Sequence, residues 1–391
     1  MMRWTSRKSE LPDTASALQE LLGELQTELG GPPDLLLPFA SPHHRAQAPL
    51  VAAQLAAAAP KAQVLGCTAA GVAGGGFERE SGPCFSLMAA RLPDVESQVL
   101  RFGPAGDLPL SASPEQLRAR LQTSSDQQPF VLVLCDPYSV EAQSLVALLD
   151  QALPGCVKVG GLASGGRRPG DHALWAGTEL QHEGAVCLAL WGDLEAQPIV
   201  AQGARPVGPP MRITHGERSY VLELDGRPAL SVFQDLVSAL DDEERGRLRR
   251  GAVVGLSTPS EEERRPGPND LLVRNLVGMD PEHGVIGIGG PARTGSWLRF
   301  MVRDAQAAHD ELTELLADAS PASAAMLFSC LGRGEAFFRQ KHHDTRVLQE
   351  RLGPVPVGGF FANGELGPLR GRTWLHAYTS SVALLRQRAW D

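Results

Sequence analysis

A chain of 391 residues, 43% hydrophobic and 21% charged, has enough apolar side chains for two or three domain-sized cores. Its net charge of −9, with both signs interspersed, excludes a phosphate-binding face and so nucleic acid as a partner. The six cysteines (Cys67, Cys84, Cys135, Cys156, Cys187 and Cys330) form no C-x-x-C pair, which fits reduced thiols in a cytoplasmic protein, and no apolar run is long enough for membrane insertion: the longest, Leu50 to Ala59, is broken by Gln54 and stopped by Pro60.

After a polar lead, the segment Thr14 to Leu29 places Leu18, Leu21, Leu22, Leu25 and Leu29 on one helical face, with Asp13 or Thr14 as cap and Gly30-Gly31-Pro32-Pro33 as stop. A strand at Leu35 to Phe39, a loop at Ser41-Pro-His-His, a helix started by Pro49, and a strand running through Gly66-Cys67-Thr68-Ala69-Ala70-Gly71 then make a strand-helix-strand unit. Residues 130 to 166 repeat the plan, from strand Phe130 to Leu134 through a helix at Ser139 to Leu153 into Gly160-Gly161-Leu162-Ala163-Ser164-Gly165. A third copy runs from strand Ala325 to Phe328 through a helix near Thr345 to Leu352 into Gly358-Gly359-Phe360-Phe361-Ala362-Asn363-Gly364. Each copy is followed by another apolar strand, near Cys84 to Ala90, Gly184 to Trp191 and Trp374 to Leu385. The pattern predicts a mixed α/β (α+β) fold: mixed sheets with helices packed on them, and the strand-helix-strand units distributed over two lobes. Residues 205 to 318 differ, with strands at Arg212-Ile-Thr, Ser219 to Leu224, Leu271 to Val277, Gly284 to Ile288 and Ser296 to Val302, a helix from Pro228 to Leu240, another from Asp304 to Ala317, and a charged solvated loop at Glu261 to Arg265.

Chemistry concentrates in the third copy. Its first strand ends in Cys330, followed by Gly332-Arg333-Gly334, and its second in Asn363-Gly364-Glu365; if the strands are neighbours, Cys330, Arg333, Asn363 and Glu365 converge. Arg333, framed by Gly332 and Gly334, suits a forked contact to a ligand carboxylate, against the alternative of an internal carboxylate partner. Glu365 suits an ammonium. Asn363-Gly364 is in itself a hairpin signal, and Cys330 gains reactivity if Arg333 lowers its thiol pKa. Arg274 and Asn275, in an otherwise apolar strand, are expected to turn one side chain inward toward the same cavity, with a structural ion pair as the alternative. His342-His343-Asp344 is rejected as a metal set, because adjacent histidines diverge and no fourth ligand is suitably spaced. No nucleophile-base motif is recognisable, so no catalytic residue and no cofactor is assigned.

These motifs, together with Leu224-Asp225-Gly226-Arg227-Pro228-Ala229-Leu230 and Val273-Arg274-Asn275-Leu276-Val277-Gly278-Met279-Asp280-Pro281, resemble the FIST family (F-box and intracellular signal-transduction domain) over residues 32 to 386. After the polar lead and helix at 1 to 31, the resemblance implies a FIST N-like domain at 32 to 204 and a FIST C-like domain at 205 to 386. It also implies a cytoplasmic sensory protein that binds an amino acid or similar small carboxylate. With no F-box, kinase or cyclase segment in the sequence, a stand-alone member is expected, its signalling output partner missing or separate. A cysteine-dependent enzyme and a scaffold working through protein contacts are the alternatives.

Overall fold

The computed structural model describes residues 1–123, 127–258, 264–267 and 270–388. Of the charged run Glu261 to Arg265, residues 261–263 lie outside this set, and Arg264 pairs with Asp270 at 2.9 Å. Two compact units are present: unit 1 is Met1–Val200, Thr313–Leu375 and Thr379–Asp391, and unit 2 is Ala201–Leu312 with His376–Tyr378. Among the described residues no helix is long and apolar enough to cross a membrane.

Unit 1 contains the three copies. The first runs β1 (Arg3–Ser9), α1 (Thr14–Leu29), β2 (Leu35–Ala40), α2 (Ala48–Ala58), β3 (Gln63–Thr68), β4 (Val72–Gly74), β5 (Phe77–Arg79) and β6 (Phe85–Arg91). The second runs β7 (Val95–Phe102), α3 (Pro114–Arg120), β8 (Phe130–Cys135), α4 (Ala142–Ala152), β9 (Lys158–Leu162), β10 (Leu174–Ala176), β11 (Glu179–Gln181) and β12 (Ala185–Gly192). The third opens with β13 (Glu195–Ala201) and is interrupted by β14 (Ala204–Pro206), β15 (Met211–Glu217), β16 (Tyr220–Leu224), β17 (Arg227–Pro228), α5 (Ala229–Ala239), α6 (Asp242–Gly251), β18 (Ala252–Ser257), β19 (Leu271–Asp280), β20 (Val285–Ile288) and β21 (Trp297–Arg303). It resumes with α7 (Ala305–Ala317), β22 (Ala324–Cys330), α8 (Glu335–Phe338), α9 (His343–Leu352), β23 (Val357–Ala362), β24 (Glu365–Leu369), β25 (Arg372–His376) and β26 (Ser380–Arg386).

Three six-stranded sheets result, ordered β1-β6-β2-β3-β10-β11, β7-β12-β8-β9-β24-β25 and β13-β26-β22-β23-β4-β5. In each, the two central strands are parallel and the flanking ones antiparallel. Each copy lends its short hairpin to another copy's sheet: β4-β5 joins the third, β10-β11 the first, and β24-β25 the second. Alternate residues of the central strands, among them Phe39, Leu132, Leu134, Phe328 and Phe360, meet in one common core, while the opposite faces of the first two sheets carry helices α1 and α2, and α3 and α4. The first nine residues, read above as a polar lead, contain a core-facing strand instead. Its Ser6 accepts the Gly75 amide, and Thr5 and Ser9 donate to Glu28 and Glu20, so these buried hydroxyls are satisfied without apolar side chains.

One glycine marks the same point in every copy. A Cβ on Gly66, Gly160 or Gly359 would lie 1.9, 1.9 or 1.8 Å from the carbonyl oxygen of Pro38, Val133 or Leu327 on the adjacent parallel strand. Since a backbone carbonyl cannot rotate away as a flexible side chain would, Gly160→Ala is expected to destabilise the protein by about 3 kcal/mol or more, at the upper end of overpacking costs, read by urea unfolding. A loss below about 0.5 kcal/mol would show that the strands separate freely here.

In unit 2, the strands β21, β15, β16, β20, β19 and β18 close into an antiparallel barrel through the β18–β21 pairing. Its interior is filled by Ile213, Val221, Leu224, Ile286, Ile288, Leu298 and Phe300, with Leu230, Phe233 and Leu248 of α5 and α6 packed in the same cluster.

Candidate functional site

The shared glycine sets a register in which residues of the three copies can be matched. Ser41, Asp136 and Cys330 lie at equivalent strand ends, each donating its backbone N–H to the carbonyl just before the antiparallel strand: Cys84 at 2.8 Å, Gly184 at 2.9 Å and Thr379 at 2.9 Å. By the same register Glu365 corresponds to Val72 and Leu174, because β4, β10 and β24 pair at matching positions with β23, β3 and β9. Two copies thus place a core aliphatic where the third places a carboxyl. All three side chains are fully buried.

Burial is the largest influence on Glu365 and pushes its carboxyl up to about 8, against the opposing pull of the Thr379 amide, the Cys330 thiol and the Arg333 charge. Oε2 accepts the Thr379 N–H at 3.1 Å, whereas Oε1 makes no hydrogen bond. Thr379 therefore holds both residues with its main chain, its carbonyl accepting the Cys330 N–H and its own N–H, in the preceding peptide unit, donating to the Glu365 carboxyl. The Gly332 N–H points at the Cys330 sulfur, at 3.5 Å.

Behind this pair lies a buried charge network. Arg333, 1% exposed, reaches Asp344 with Nε to Oδ2 at 3.1 Å and Nη2 to Oδ1 at 3.0 Å. Ser329 donates to the same carboxylate at 2.8 Å, and His343 Nδ1 lies 2.9 Å from Oδ1. Burial alone would raise the Asp344 pKa, but the Arg333 charge and the bonds from His343 and Arg333 hold it well below the usual carboxylate range. An ionised carboxylate only accepts, so His343 carries its proton on Nδ1. Phe338 stacks flat on His343 with centroids 3.4 Å apart, and the Arg333 guanidinium lies 5.1 Å from the centre of the same ring.

The first copy supplies the back wall through its lent hairpin. Glu78 on β5 accepts the Thr345 N–H at 2.7 Å, and burial, then the neighbouring Asp344 charge, pushes it up to about 8. Glu80 accepts the Glu335 N–H at 2.7 Å. A Cβ on Gly334 would fall 1.8 Å from a Glu80 carboxyl oxygen, so a larger residue there would push this exposed side chain off the Glu335 N–H.

The structure thus brings Cys330, Gly332, Arg333, Gly334 and Glu365 together, as the strand ends suggested. It corrects the reading of Arg333, whose fork is committed to an internal carboxylate, leaving Nε and Nη2 unavailable to a ligand. It also corrects the hairpin reading of Asn363-Gly364. These residues carry the chain from β23 in one sheet to β24 in another, with Asn363 exposed and its backbone N–H donating to the Leu162 carbonyl at 3.0 Å. Arg274 and Asn275 belong to unit 2, on β19. Arg274 Nη1 bonds the Val273 carbonyl at 2.8 Å, burial lowers its pKa to about 10, and Asn275 accepts the Tyr378 hydroxyl. Asp344, His343, Glu78, Glu80 and Thr379 were not singled out as site residues from sequence. For Asp344 alone a signal existed, in that an arginine between strand and helix needs a partner if it is buried.

Residues 34–227 match the FIST N domain and residues 229–368 the FIST C domain. The uncharacterized protein Rv0628c of Mycobacterium tuberculosis is 35% identical over 382 residues, 96% of this chain and 97% of that one, and the uncharacterized protein Mb0898c of Mycobacterium bovis is 34% identical over 379 residues, 95% and 96% of the two. Among solved structures, a cyanuric acid hydrolase of A. caulinodans aligns over 100% of both chains at 12% identity and a TM-score of 0.34, a likeness too distant to carry an argument. With both domain matches and these full-length relatives, the chain belongs to the FIST family, whose domains are signal-transduction sensory domains.

Proposed function

We propose that this protein is a cytoplasmic sensor for an amino acid or a similar small carboxylate bearing an ammonium group, held beside Cys330 with Glu365 receiving the ammonium, and that it signals through a separate output protein. The observation that carries the reading is Glu365: a fully buried carboxyl with one oxygen lacking a hydrogen-bond partner, at a position where the two sister copies have valine and leucine. A buried carboxyl whose neighbouring cation, Arg333, is already paired with Asp344 stays protonated, and an arriving ammonium supplies the charge that lets it ionise. Arg333 serves here as a positioning residue, fixing the loop between Cys330 and α8 through Asp344.

The reading has a testable sign. Binding an ammonium ionises Glu365 and releases its proton, so apparent affinity is expected to rise about tenfold per pH unit from pH 6 toward 8 and then level off. Native mass spectrometry of freshly purified protein, followed by a thermal-shift screen of amino acids, simple primary amines and amine-free carboxylates, separates the classes. Stabilisation by amino acids that disappears in Glu365→Gln supports the assignment. Stabilisation by amine-free carboxylates alone, or affinity that falls with pH, would sink it.

A further inference from the structure

We infer that Cys330 is a covalent attachment site for small soft electrophiles such as α,β-unsaturated carbonyl compounds, with Glu365 as the base that takes the thiol proton. The inference goes beyond ligand sensing by charge, and neither depends on nor requires an amine ligand.

Its first support is exposure. Of the six cysteines, Cys67, Cys84, Cys135 and Cys187 are buried, and only Cys156 and Cys330 are partly exposed. Burial pushes the thiols of Cys84 and Cys135 up to about 11 and about 12, and those of Cys67 and Cys187 well above the ordinary value. Burial also raises Cys156, and the carboxylate near it, Asp150, is already engaged by Lys158 at 3.0 Å. Cys330, by contrast, is partly exposed at the end of its strand, next in sequence to the exposed Leu331.

The second support is the carboxyl. The main-chain N–H and C=O of Thr379 bond Glu365 and Cys330 respectively, and the thiol acts on Glu365 as a hydrogen-bond donor. Oε1 is fully buried, without a hydrogen-bond partner, and belongs to the one copy that has a carboxyl here. The Gly332 N–H, directed at the sulfur, favours the negative charge that develops when the proton leaves. The charged or titratable groups acting on Glu365 are Cys330 and Arg333, with Asp344 neutralising Arg333 from behind. A carboxyl pushed up to about 8 by burial is a stronger base toward a neighbouring thiol than an ordinary glutamate.

The step conserves atoms and electrons. As the Cys330 S–H bond breaks, its proton passes to the ionised Glu365 carboxylate, and the sulfur forms a bond to the β-carbon of the activated alkene. The alkene's π pair moves to the α-carbon, which recovers the proton from Glu365. The product is a thioether, formed without oxidant or leaving group.

N-ethylmaleimide labelling at substoichiometric reagent, read by peptide mass spectrometry from pH 6 to 9.5, tests the inference on the intact protein. Cys330 is expected to label at least tenfold faster than Cys156 at pH 7.5, with a rate inflection near 8. In Glu365→Gln the Cys330 rate at pH 7.5 is expected to fall about tenfold and its inflection to move upward. If Cys330 labels no faster than Cys156 in the wild type, the inference fails even should the variant not fold. Equal or faster labelling in folded Glu365→Gln would also overturn it, because the carboxylate would then be only a repelling charge. Amines are absent from the assay, so the result is independent of whether an ammonium ligand exists.

Discussion

Asp344→Ala is expected to lower the unfolding free energy by about 3–5 kcal/mol, because it leaves the Arg333 guanidinium buried without its counter-charge. Arg333 is 1% exposed and Asp344 2%, so water cannot take over the lost contacts. The same change strands the Ser329 hydroxyl and the His343 Nδ1–H, both of which bond that carboxylate. Replacing the pair together, as Arg333→Met with Asp344→Leu, is expected to return the part of the loss due to the uncompensated charge, since an apolar pair removes both buried charges while Ser329 and His343 stay without their acceptor. Urea unfolding of the single and double variants measures this non-additivity. A single-variant loss below about 1 kcal/mol would mean that the network carries little of the fold.

Between about pH 4.5 and 8 the protein is expected to lose stability as the pH rises, the reverse of an ordinary carboxylate-stabilised fold. Glu78 and Glu365 both have folded pKa values near 8, raised from 4.5 chiefly by burial. In this interval the unfolded chain has released protons that the folded state keeps. Their favourable contribution is complete below the unfolded value and gone above about 8, with a slope of up to about 1.4 kcal/mol per pH unit for each group. Asp344 acts in the other direction: its depressed pKa contributes stability above the ordinary aspartate value that disappears on acidification. Stability is therefore expected to peak between these effects, near pH 4 to 5, and Glu365→Gln and Glu78→Gln should each flatten the alkaline side. Unfolding curves at unit pH intervals test this, and a wild-type curve flat from pH 5 to 8 would refute it.

The three copies were legible because each ends in the same glycine-rich run, and a steric requirement as strict as a facing carbonyl leaves only glycine as an acceptable residue. The strand Arg3–Ser9 was not, since its buried positions include Thr5, Ser6 and Ser9, whose partners lie on α1 and near β4. The hairpins were hidden for a different reason: segments of three residues, such as Val72–Gly74 and Phe77–Arg79, carry no periodicity, and nothing local tells which sheet they join. In the site, Cys330, Arg333 and Glu365 were recognisable as polar residues placed after apolar strands. The partner of Arg333 was not, because the path to Asp344 passes through a left-handed residue, His342 with φ 59°, that sends the chain back over the guanidinium. Glu78 comes from another copy altogether, and only the exchanged pairing brings it near.

That exchange also sets a timetable for biosynthesis. The hairpin of the first copy pairs through Gly74 with Gly358, so its partner strand leaves the ribosome about 280 residues later, roughly 15 to 60 s at ordinary elongation rates. Until then the first copy waits with an unpaired hairpin and an open sheet edge, both invitations to pair with the wrong chain. Folding of unit 1 is thus bound to completion of the polypeptide. Chaperone capture of nascent chains, and poor recovery of fragments ending before residue 357, are the cellular consequences to be expected of a ring closed by its last copy.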